Sequence, residues 1–195
     1  MEMKNLFTIL LSIVIVSCQS NSEFKTIDFG DFEITVPQQW EKLEFRGIDS
    51  YVGGIITPEK DFLIFDIGRY SSDITKNDLP LVFDKNSYAD LTQKQKHLLK
   101  KTKHLIVDSL SGDIDFGKYK KHIFVFYKID CFKAKIITPT NKEFGTTGIY
   151  IDSLRGNSKD FTKTGMCFYG HDLKEKTQNQ FVKALKTIKL KEFCH

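Results

Sequence analysis

The sequence predicts an α+β fold in which a single antiparallel sheet is flanked by helices and a C-terminal helix packs on the sheet. Three observations favour this fold. Short runs rich in β-branched and aromatic residues alternate with clusters of turn residues along most of the chain. Amphipathic helical patterns occur near the middle and at the end. No internal repeat, low-complexity tract or linker interrupts residues 28–195, so we predict one domain there.

The strands of the first half are predicted from alternation and turns. Phe32 to Val36 alternates apolar and polar residues, and Pro37 ends the run because proline cannot donate to a sheet ladder. Residues 50–56 and 62–70 are two further runs. The five residues between them are polar or turn-favouring, and this spacing predicts a hairpin.

The second half is predicted to be rich in strands. Residues 122–129 and 132–138 are β-type runs separated only by Asp130 and Cys131, which is the length of a tight hairpin loop. Cysteine at the second loop position lacks the ease with positive φ that glycine would have. Two more strands are predicted at residues 147–152 and 165–170.

Two helices are predicted. The first runs from Asn86 to Lys103, because apolar residues fall near one stripe and lysines occupy the rest of the surface. The second follows Asp172, since Asp172 to Glu175 has the D-x-x-E capping pattern, and it runs to about Leu190. The residues that repeat at helical spacing and form its predicted buried face are Phe181, Ala184, Leu185 and Ile188.

Three stretches resemble known families. Phe32 to Trp40 has the pattern F-x-I-x-V-P-x-x-W, which resembles the opening of the Mog1/PsbP-like group. This resemblance implies one antiparallel sheet flanked by helices, with the tryptophan closing over the end of the sheet. Residues 47–53 and 146–150 resemble segments of small lipoproteins of Bacteroidetes-type bacteria. Neither resemblance implies a catalytic motif.

Residues 1–17 are predicted to be a removable signal peptide. Lys4 precedes a mainly apolar run at 6–16, which is too short for a membrane-spanning helix of about 20 residues. The run ends in Ile15-Val16-Ser17-Cys18, which resembles the bacterial lipobox. This resemblance implies that Cys18 becomes the first residue of the mature lipoprotein and carries a diacylglycerol and an N-acyl chain such as palmitate. Residues 18–27 are expected to form a polar tether.

The predicted location is the bacterial cell envelope, where the lipid on Cys18 holds the protein to a membrane without a membrane-spanning segment. Gln19 follows the cysteine in place of an acidic residue. Resemblance to enterobacterial sorting therefore favours the outer membrane over the inner membrane. The sequence leaves open whether the domain faces the periplasm or the outside.

The chain carries 29 lysine and arginine residues against 25 aspartate and glutamate residues, a formal charge of +4. This excess is too modest for a nucleic-acid-binding protein, and the lysine-rich helix face has no interleaved aromatic residues. In a tethered domain that face could contact anionic lipid headgroups, although a solvated face is the simpler interpretation. The lysines of this face are Lys94, Lys96, Lys100, Lys101 and Lys103.

Three cysteines remain once Cys18 is lipidated, namely Cys131, Cys167 and Cys194. In an oxidising compartment an odd number allows at most one intramolecular disulfide and one free thiol. We predict that at least one of the three is disulfide-bonded. The sequence leaves the pairing open.

The histidines predict no metal site, and no cofactor is expected. His97 and His104 are seven residues apart, about two helical turns, which is too far for one metal ion. His122 and His171 stand alone at the ends of predicted elements. His195 follows Cys194, but no C-x-x-C spacing supports zinc binding there.

No catalytic residue is predicted either. The sequence contains no G-x-S-x-G, S-x-x-K or H-E-x-x-H motif. Asp49 and Ser50 are adjacent strand residues, so their side chains point to opposite faces. Asp61 and Asp66 are an odd number of residues apart and face opposite sides in the same way, so no glycosidase-like carboxylate pair is predicted.

The function that the sequence favours is a non-catalytic accessory or ligand-binding domain, lipid-anchored in the envelope, with an unknown protein or small molecule as its partner. Two alternatives stay open. One is an envelope hydrolase whose residues come together only in the fold. A His about 3 Å from a Ser, Cys or carboxylate would favour that alternative. The other is an interaction or inhibitor lipoprotein.

Overall fold

A computed structural model of the chain describes residues 23–76, 79–100, 102–110, 115–157, 159 and 161–191. In chain order the strands are β1 (Phe24–Asp28), β2 (Phe32–Pro37), β3 (Glu41–Glu44), β4 (Ser50–Ile56), β5 (Phe62–Gly68), β6 (Leu81–Asp84), β7 (His104–Val107), β8 (His122–Ile129), β9 (Phe132–Pro139), β10 (Thr146–Arg155), β11 (Thr164–His171) and β12 (Lys189–Leu190). The α-helices are α1 (Lys85–Ala89), α2 (Gln93–Leu99) and α3 (Glu175–Leu185). A short 3-10 helix, Phe116–Tyr119, precedes β8.

The described strands form three sheets. The large sheet has seven antiparallel strands in the order β3-β4-β5-β11-β10-β9-β8, so β11 lies at its centre and β3 and β8 form its edges. A small antiparallel sheet, β1-β2-β12, joins the two ends of the described chain. The third sheet is a parallel pair of β6 and β7.

The predicted fold class is therefore wrong. Instead of the single sheet flanked by helices that the Mog1/PsbP-like resemblance implied, the chain is mainly β, with three sheets and short helices in its described part. The strands that the sequence analysis missed include β1, β3, β6 and β12. β1 lies in the stretch 18–27 that was expected to be a tether, and Lys189–Leu190 of β12 was assigned to the closing helix.

The core lies between the large sheet on one side and β2 with helix α3 on the other. The ring centroid of Phe32 on β2 is 5.0 Å from that of Phe65 on β5 and 6.0 Å from that of Phe168 on β11. Phe181 of α3 lies 5.2 Å from Phe168 and 6.4 Å from Trp40, which is 1% exposed. Such aromatic pairs add about 0.5–1.5 kcal/mol each beyond burial of their area. These contacts hold β2 and α3, which form the second layer of the domain, over the centre of the large sheet.

The opposite face of the large sheet, which we call the outer face, carries a smaller apolar cluster. Ile137, Tyr150 and Cys167 are buried there on three adjacent strands. They pack against Tyr169 and against Ile74, which belongs to the segment between β5 and β6. This segment therefore covers part of the outer face.

The helix predicted from Asn86 to Lys103 is two short helices, α1 and α2. The carboxylate of Asp84 accepts the Ser87 N–H at 2.6 Å and caps α1. Thr92 then starts α2 with a capping box, in which Thr92 Oγ1 accepts the Gln95 N–H and Gln95 Oε1 accepts the Thr92 N–H. T-x-x-Q is a helix-start signal. The capping box at Thr92 therefore starts a new helix inside the stretch that hydrophobic periodicity predicted as one helix. No helix in the described ranges is long and apolar enough to cross a membrane.

The predicted cap of the closing helix is wrong as well. Helix α3 has Lys174 at its N-cap position and no side-chain cap hydrogen bond. Asp172 has a φ of 54°, and its Oδ1 accepts the Gly145 N–H at 2.8 Å. The carboxylate that the D-x-x-E pattern assigned to the helix thus binds the loop before β10.

Helix α3 ends at Leu185, about one turn before the predicted Leu190. Thr187 is the residue that redirects the chain, since its Oγ1 donates to Ala184 O at 2.7 Å and accepts the Thr35 N–H of β2 at 2.8 Å. The chain then continues as β12 beside β2.

The β8–β9 loop is the two-residue turn that its spacing predicted. The positive φ, 49°, falls on Asp130, the first loop residue, which removes the difficulty expected for Cys131. Asp130 Oδ2 also accepts the Leu190 N–H at 2.7 Å. This hydrogen bond ties the tip of the hairpin to β12.

Candidate functional site

A cleft of about 670 Å³ opens at one end of the outer face. Its walls are strand ends, the segment after β5 and the segment after α2. We call it the basic cleft because of the nitrogen-bearing side chains that line it, which are Lys76, Lys100, Lys103, Lys121, His122 and His171. The carboxylates among the described lining residues are Asp73 and Asp172.

Strand pairing brings the two histidines of the basic cleft together. His122 is the first residue of β8 and pairs with Pro139, the last residue of β9. Thr146 is the first residue of β10 and pairs with His171, the last residue of β11. Neighbouring strands are antiparallel, so the start of one lies beside the end of the next. Both histidines therefore lie at the same end of the sheet.

The pKa of His171 is lowered from its ordinary value. Its Nδ1 is 3.0 Å from Thr146 Oγ1. Burial lowers the pKa of His171, and the nearby Lys121 and His122 lower it further, while the Asp172 carboxylate acts in the opposite direction. An anion placed in the cleft would stabilise the imidazolium and raise this pKa.

His122 is the most deeply buried polar group of the cleft. Its side chain is 5% exposed, and its Nε2 has no hydrogen-bond partner among the described residues. A buried polar atom without a partner costs about 1–3 kcal/mol. A bound molecule that reaches this nitrogen would recover part of that free energy.

The carboxylates of the cleft are already engaged. Asp172 Oδ2 forms an ion pair with Lys103 Nζ at 3.2 Å, in addition to the bond from Gly145 to Oδ1. Asp73 Oδ1 accepts the N–H of Thr75 at 3.0 Å and its hydroxyl at 2.5 Å. The cleft therefore retains an excess of positive charge that these two side chains do not neutralise.

Thr146 and His171 form a hydroxyl–imidazole pair, the kind of contact from which a nucleophile and base can be built. The hydrolase alternative called for a Ser, Cys or carboxylate beside a His, and the partner here is a threonine. The Asp172 carboxylate binds Gly145 and Lys103, so it does not orient the imidazole. No group of three or more metal-ligating side chains occurs among the residues that the structure describes.

The five lysines predicted on one helix face have different surroundings. Lys100 and Lys103 line the basic cleft. Lys96 lies on α2, where its Nζ donates to Ala89 O at 2.8 Å and lies 5.7 Å from the centre of the Tyr88 ring. Lys94 is exposed on α2, and Lys101 lies outside the described residues.

The cysteines also separate. Cys131 is disulfide-bonded, whereas Cys167 is a free thiol that is 1% exposed. Burial raises the pKa of the Cys167 thiol, so it is not an activated nucleophile. Cys18 and Cys194 lie outside the described residues.

The other residues considered in the sequence do not form a site. His97 is exposed on α2, and His104 stacks on Tyr88 with ring centroids 5.3 Å apart. Ser50 on β4 lies near Asp66 of the neighbouring strand β5, and its hydroxyl acts to lower the pKa of that carboxyl. Burial raises the pKa of Asp66.

Sequence reasoning treated His122 and His171 as isolated residues and missed that both line the basic cleft. The signal that could have revealed it is their position at opposite ends of strand-like runs, His122 at a start and His171 just after an end. In antiparallel strands those positions lie at the same end of the sheet. The order of strands along the sheet was needed to use that signal.

No protein-family model matches the chain, and no curated protein gives a significant sequence match. The function must therefore be inferred from the residues of the basic cleft and from the N-terminal sequence.

Proposed function

We propose that this protein is a lipid-anchored component of the bacterial envelope whose folded domain is a non-catalytic binding domain for a small anionic ligand. The observation that carries the ligand class is the imbalance of charge in the basic cleft. Four lysines line the cleft against two carboxylates, and Asp172 is paired with only one of them, Lys103. Lysine is a common ligand for phosphate and carboxylate groups because it supplies a compact charge with three donors.

The size of the cleft supports a small molecule. Its volume of about 670 Å³ lies within the range of about 300–1,000 Å³ that is usual for ligand pockets. We therefore propose a ligand with two or more negative charges, such as a phosphate ester or a polycarboxylate.

The experiment is calorimetric titration of the chain from residue 19, which retains every described strand and helix. The probes are inorganic phosphate, pyrophosphate and a neutral sugar. Pyrophosphate should bind more tightly than phosphate because it carries more charge, and the neutral sugar should not bind. Equal weak binding of all three would contradict the proposal.

The matched variants are Lys121→Gln, inside the cleft, and Lys94→Gln, outside it. Removing one cation near an anion should weaken pyrophosphate binding about fivefold, which corresponds to about 1 kcal/mol. Lys94→Gln should leave the affinity unchanged. If both variants weakened binding equally, the attraction would come from net charge and not from the cleft.

Binding should also depend on pH. His171 has a lowered pKa in the free protein, and a bound anion would raise it, so binding takes up a proton. Pyrophosphate also titrates between about pH 8 and about pH 6, so the reference is the profile of His171→Gln, in which Lys121, His122 and Asp172 remain close to the position. Relative to that variant, the affinity of the unaltered protein for pyrophosphate should rise as the pH falls. Coincident profiles of the two proteins would exclude the histidine from the site.

The hydrolase alternative is tested with the same material. Incubation with a chromogenic phosphate monoester and a chromogenic carboxylic ester should give no turnover above background. Turnover by the unaltered protein that is lost in Thr146→Val would identify the hydroxyl–imidazole pair as an active site. It would contradict a purely binding role.

The anchor is tested separately. Its support is the lipobox-like Ile15 to Cys18 after a short apolar run. The full chain should be released from membranes by detergent and not by high salt, because salt screens charge but leaves buried acyl chains in place. Cys18→Ser should lose incorporation of labelled palmitate. A membrane-free protein with unmodified Cys18 would refute the anchor, and the outer-membrane location with it.

A further inference from the structure

β8 leaves a run of apolar side chains uncovered at one edge of the large sheet. Its first and last residues, His122 and Ile129, are buried. The side chains between them that are 37–59% exposed are Ile123, Phe124, Val125, Phe126 and Tyr127. We call the strand and these five side chains the β8 edge. Single exposed apolar residues need no explanation, whereas a contiguous run of this kind marks an interaction surface.

Both faces of the β8 edge are apolar. Alternation along a strand places Ile123, Val125 and Tyr127 toward the side of β2 and α3, and Phe124 and Phe126 toward the outer face. Lys186 Nζ, just after α3, reaches the Tyr127 ring at 5.6 Å. On the outer face Lys135 Nζ lies 5.0 Å from the Phe124 ring centroid and Lys133 Nζ 3.8 Å from that of Phe126. In the described part of the chain these lysine side chains lie against the exposed rings of the β8 edge.

Among the described strands, only β9 pairs with the backbone of the β8 edge. A two-residue hairpin loop is closed by a hydrogen-bonded pair, here Ile129 and Phe132, and such pairs recur at every second residue. The residues between them, including Phe124, Phe126 and Lys128, therefore direct their N–H and C=O groups away from β9. Such an edge is a template for an added strand.

A membrane surface fits this edge poorly, even for an anchored protein. Hydrocarbon would cover the side chains but would leave the edge N–H and C=O groups without partners, at several kcal/mol each. An added strand satisfies the backbone and covers apolar side chains on both faces together. The occupant must therefore be a strand whose two faces are both apolar.

We propose that the occupant is β8 of a second copy of this chain, paired antiparallel across a twofold axis. A rotation of 180° about an axis perpendicular to the sheet places each face of β8 against the same face of its copy. Ile123, Val125 and Tyr127 then meet the same set from the partner, and the two phenylalanines meet their counterparts. The β8 edge is self-complementary because neither face is polar at its centre.

The charges permit this pairing. In a register centred on Val125, Lys128 lies opposite His122 of the second copy, and in one centred on Phe126 it lies opposite Phe124. Neither register sets Lys128 against itself. Lys133 and Lys135 of both copies remain near the interface, and their ammonium groups lie over their own aromatic rings. We therefore expect added salt to strengthen the dimer, because it screens the repulsion between these lysines.

The assembly should stop at two copies. The other edge of the large sheet, β3, has four residues, of which Glu41, Lys42 and Glu44 are charged. Short, charged edges resist strand addition. Each chain thus offers one pairing edge, and a pairing across a twofold axis uses it completely.

The experiment is sedimentation analysis of the chain from residue 19 over a concentration series. The expected result is a reversible monomer–dimer equilibrium that shifts toward dimer, or stays constant, between about 50 mM and about 500 mM NaCl. Val125→Lys and Phe126→Lys should each weaken dimerisation at least tenfold. Phe24→Lys is the matched control, since Phe24 is 53% exposed on a strand of the small sheet and Phe126 is 56% exposed. This control should dimerise normally.

Amide hydrogen exchange of the unaltered chain is a second test, and it does not depend on whether the variants fold. Amides of Phe124, Phe126 and Lys128 should exchange more slowly as the protein concentration rises, while amides of β3 should not change. A chain that stays monomeric at every concentration would overturn the proposal, as would growth beyond dimers. A dimer insensitive to both lysine substitutions would overturn it too. Binding to anionic vesicles that both substitutions abolish, without dimerisation, would assign the edge to lipid.

Discussion

The two edges of the large sheet belong to the same layer but expose opposite chemistry. β3 is four residues long and mostly charged, and its Lys42 pairs with Glu44 at 3.3 Å. β8 is eight residues long and exposes five apolar side chains in a row. Natural sheets shield their edges with short strands and charges. β3 follows that rule and β8 does not. This difference indicates that the exposed apolar residues of β8 have a function.

The second layer explains where the difference arises. β2 and α3 pack over the centre of the large sheet, where Phe32, Phe65, Phe168 and Phe181 meet. Their described contacts with the large sheet involve its central strands, including β10, more than its edges. Most of β8 lies beyond this cover: Ile129 belongs to the core, whereas the five exposed apolar side chains of the β8 edge do not. The core and the β8 edge can therefore be altered independently.

The largest expected effect comes from the core that both edges share. Phe168→Ala removes a fully buried ring from the central strand and should lower the free energy of unfolding by about 3–5 kcal/mol. Urea denaturation measures the loss, and hydrogen exchange should show faster opening at β3 and β8 alike. Phe161→Ala, at a ring that is 78% exposed, should change stability by no more than about 0.5 kcal/mol. Faster exchange at only one edge would show that the sheet does not unfold as one unit.

The next effect should act near β8. Reduction of the disulfide at Cys131, in the turn that joins β8 to β9, should destabilise the protein by about 2–4 kcal/mol. Thermal unfolding with and without reductant measures it. Cys131→Ser should unfold at the same temperature as the reduced protein and be insensitive to reductant. If reductant did not change the unfolding temperature of the unaltered protein, the disulfide would not contribute the expected stability.

A smaller effect is expected at the same turn from Asp130. Asp130→Ala removes the acceptor of the Leu190 N–H and should cost about 1–3 kcal/mol, with faster exchange at β8 and β12 but not at β3. Asp130→Asn is the control, because asparagine keeps an acceptor oxygen and tolerates the positive φ of this position. If Asn cost as much as Ala, the carboxylate charge and not the hydrogen bond would be responsible.

The smallest effect on stability should come from β3, together with a large change in assembly. Replacing Glu41 and Glu44 by valine removes exposed charges and should change the free energy of unfolding by no more than about 0.5 kcal/mol. The variant should nevertheless grow beyond dimers, since each chain would then offer two pairing edges. Light scattering detects this growth. A variant that remained dimeric would show that edge charge is not what protects β3.

Six of the seven strands of the large sheet were predictable because their evidence is local, whereas the short, charged β3 was missed. Alternation and turn residues placed β4 at residues 50–56 and β8 at residues 122–129 with the bounds that the structure has. The small sheet was not predictable in this way. β12 consists of two residues that continue the helical spacing of Ile188, and it becomes a strand only because β2 lies beside it.

The basic cleft was half visible in the sequence. The lysines at 100 and 103 were recognised as part of a cationic face, but periodicity assigned them to one long helix that faces a membrane. Thr92 and Gln95 break that helix and leave Lys100 and Lys103 in the segment that borders the cleft. His122 and His171 come from strands that are distant in sequence. Whether both line one cleft depends on the order of strands in the sheet, which local patterns do not encode.

The small sheet has a consequence for how the chain reaches its native state. The Thr35 N–H is bound by Thr187, 152 positions later, and Phe32 pairs with Leu190. Contacts this distant in sequence form slowly, because a long loop must close before they are gained. During synthesis Phe32 cannot complete its surroundings until nearly the whole chain has emerged. A chain that we propose is exported would in this way stay unfolded during synthesis, and its own topology would delay folding until translocation has brought both ends to the same side of the membrane.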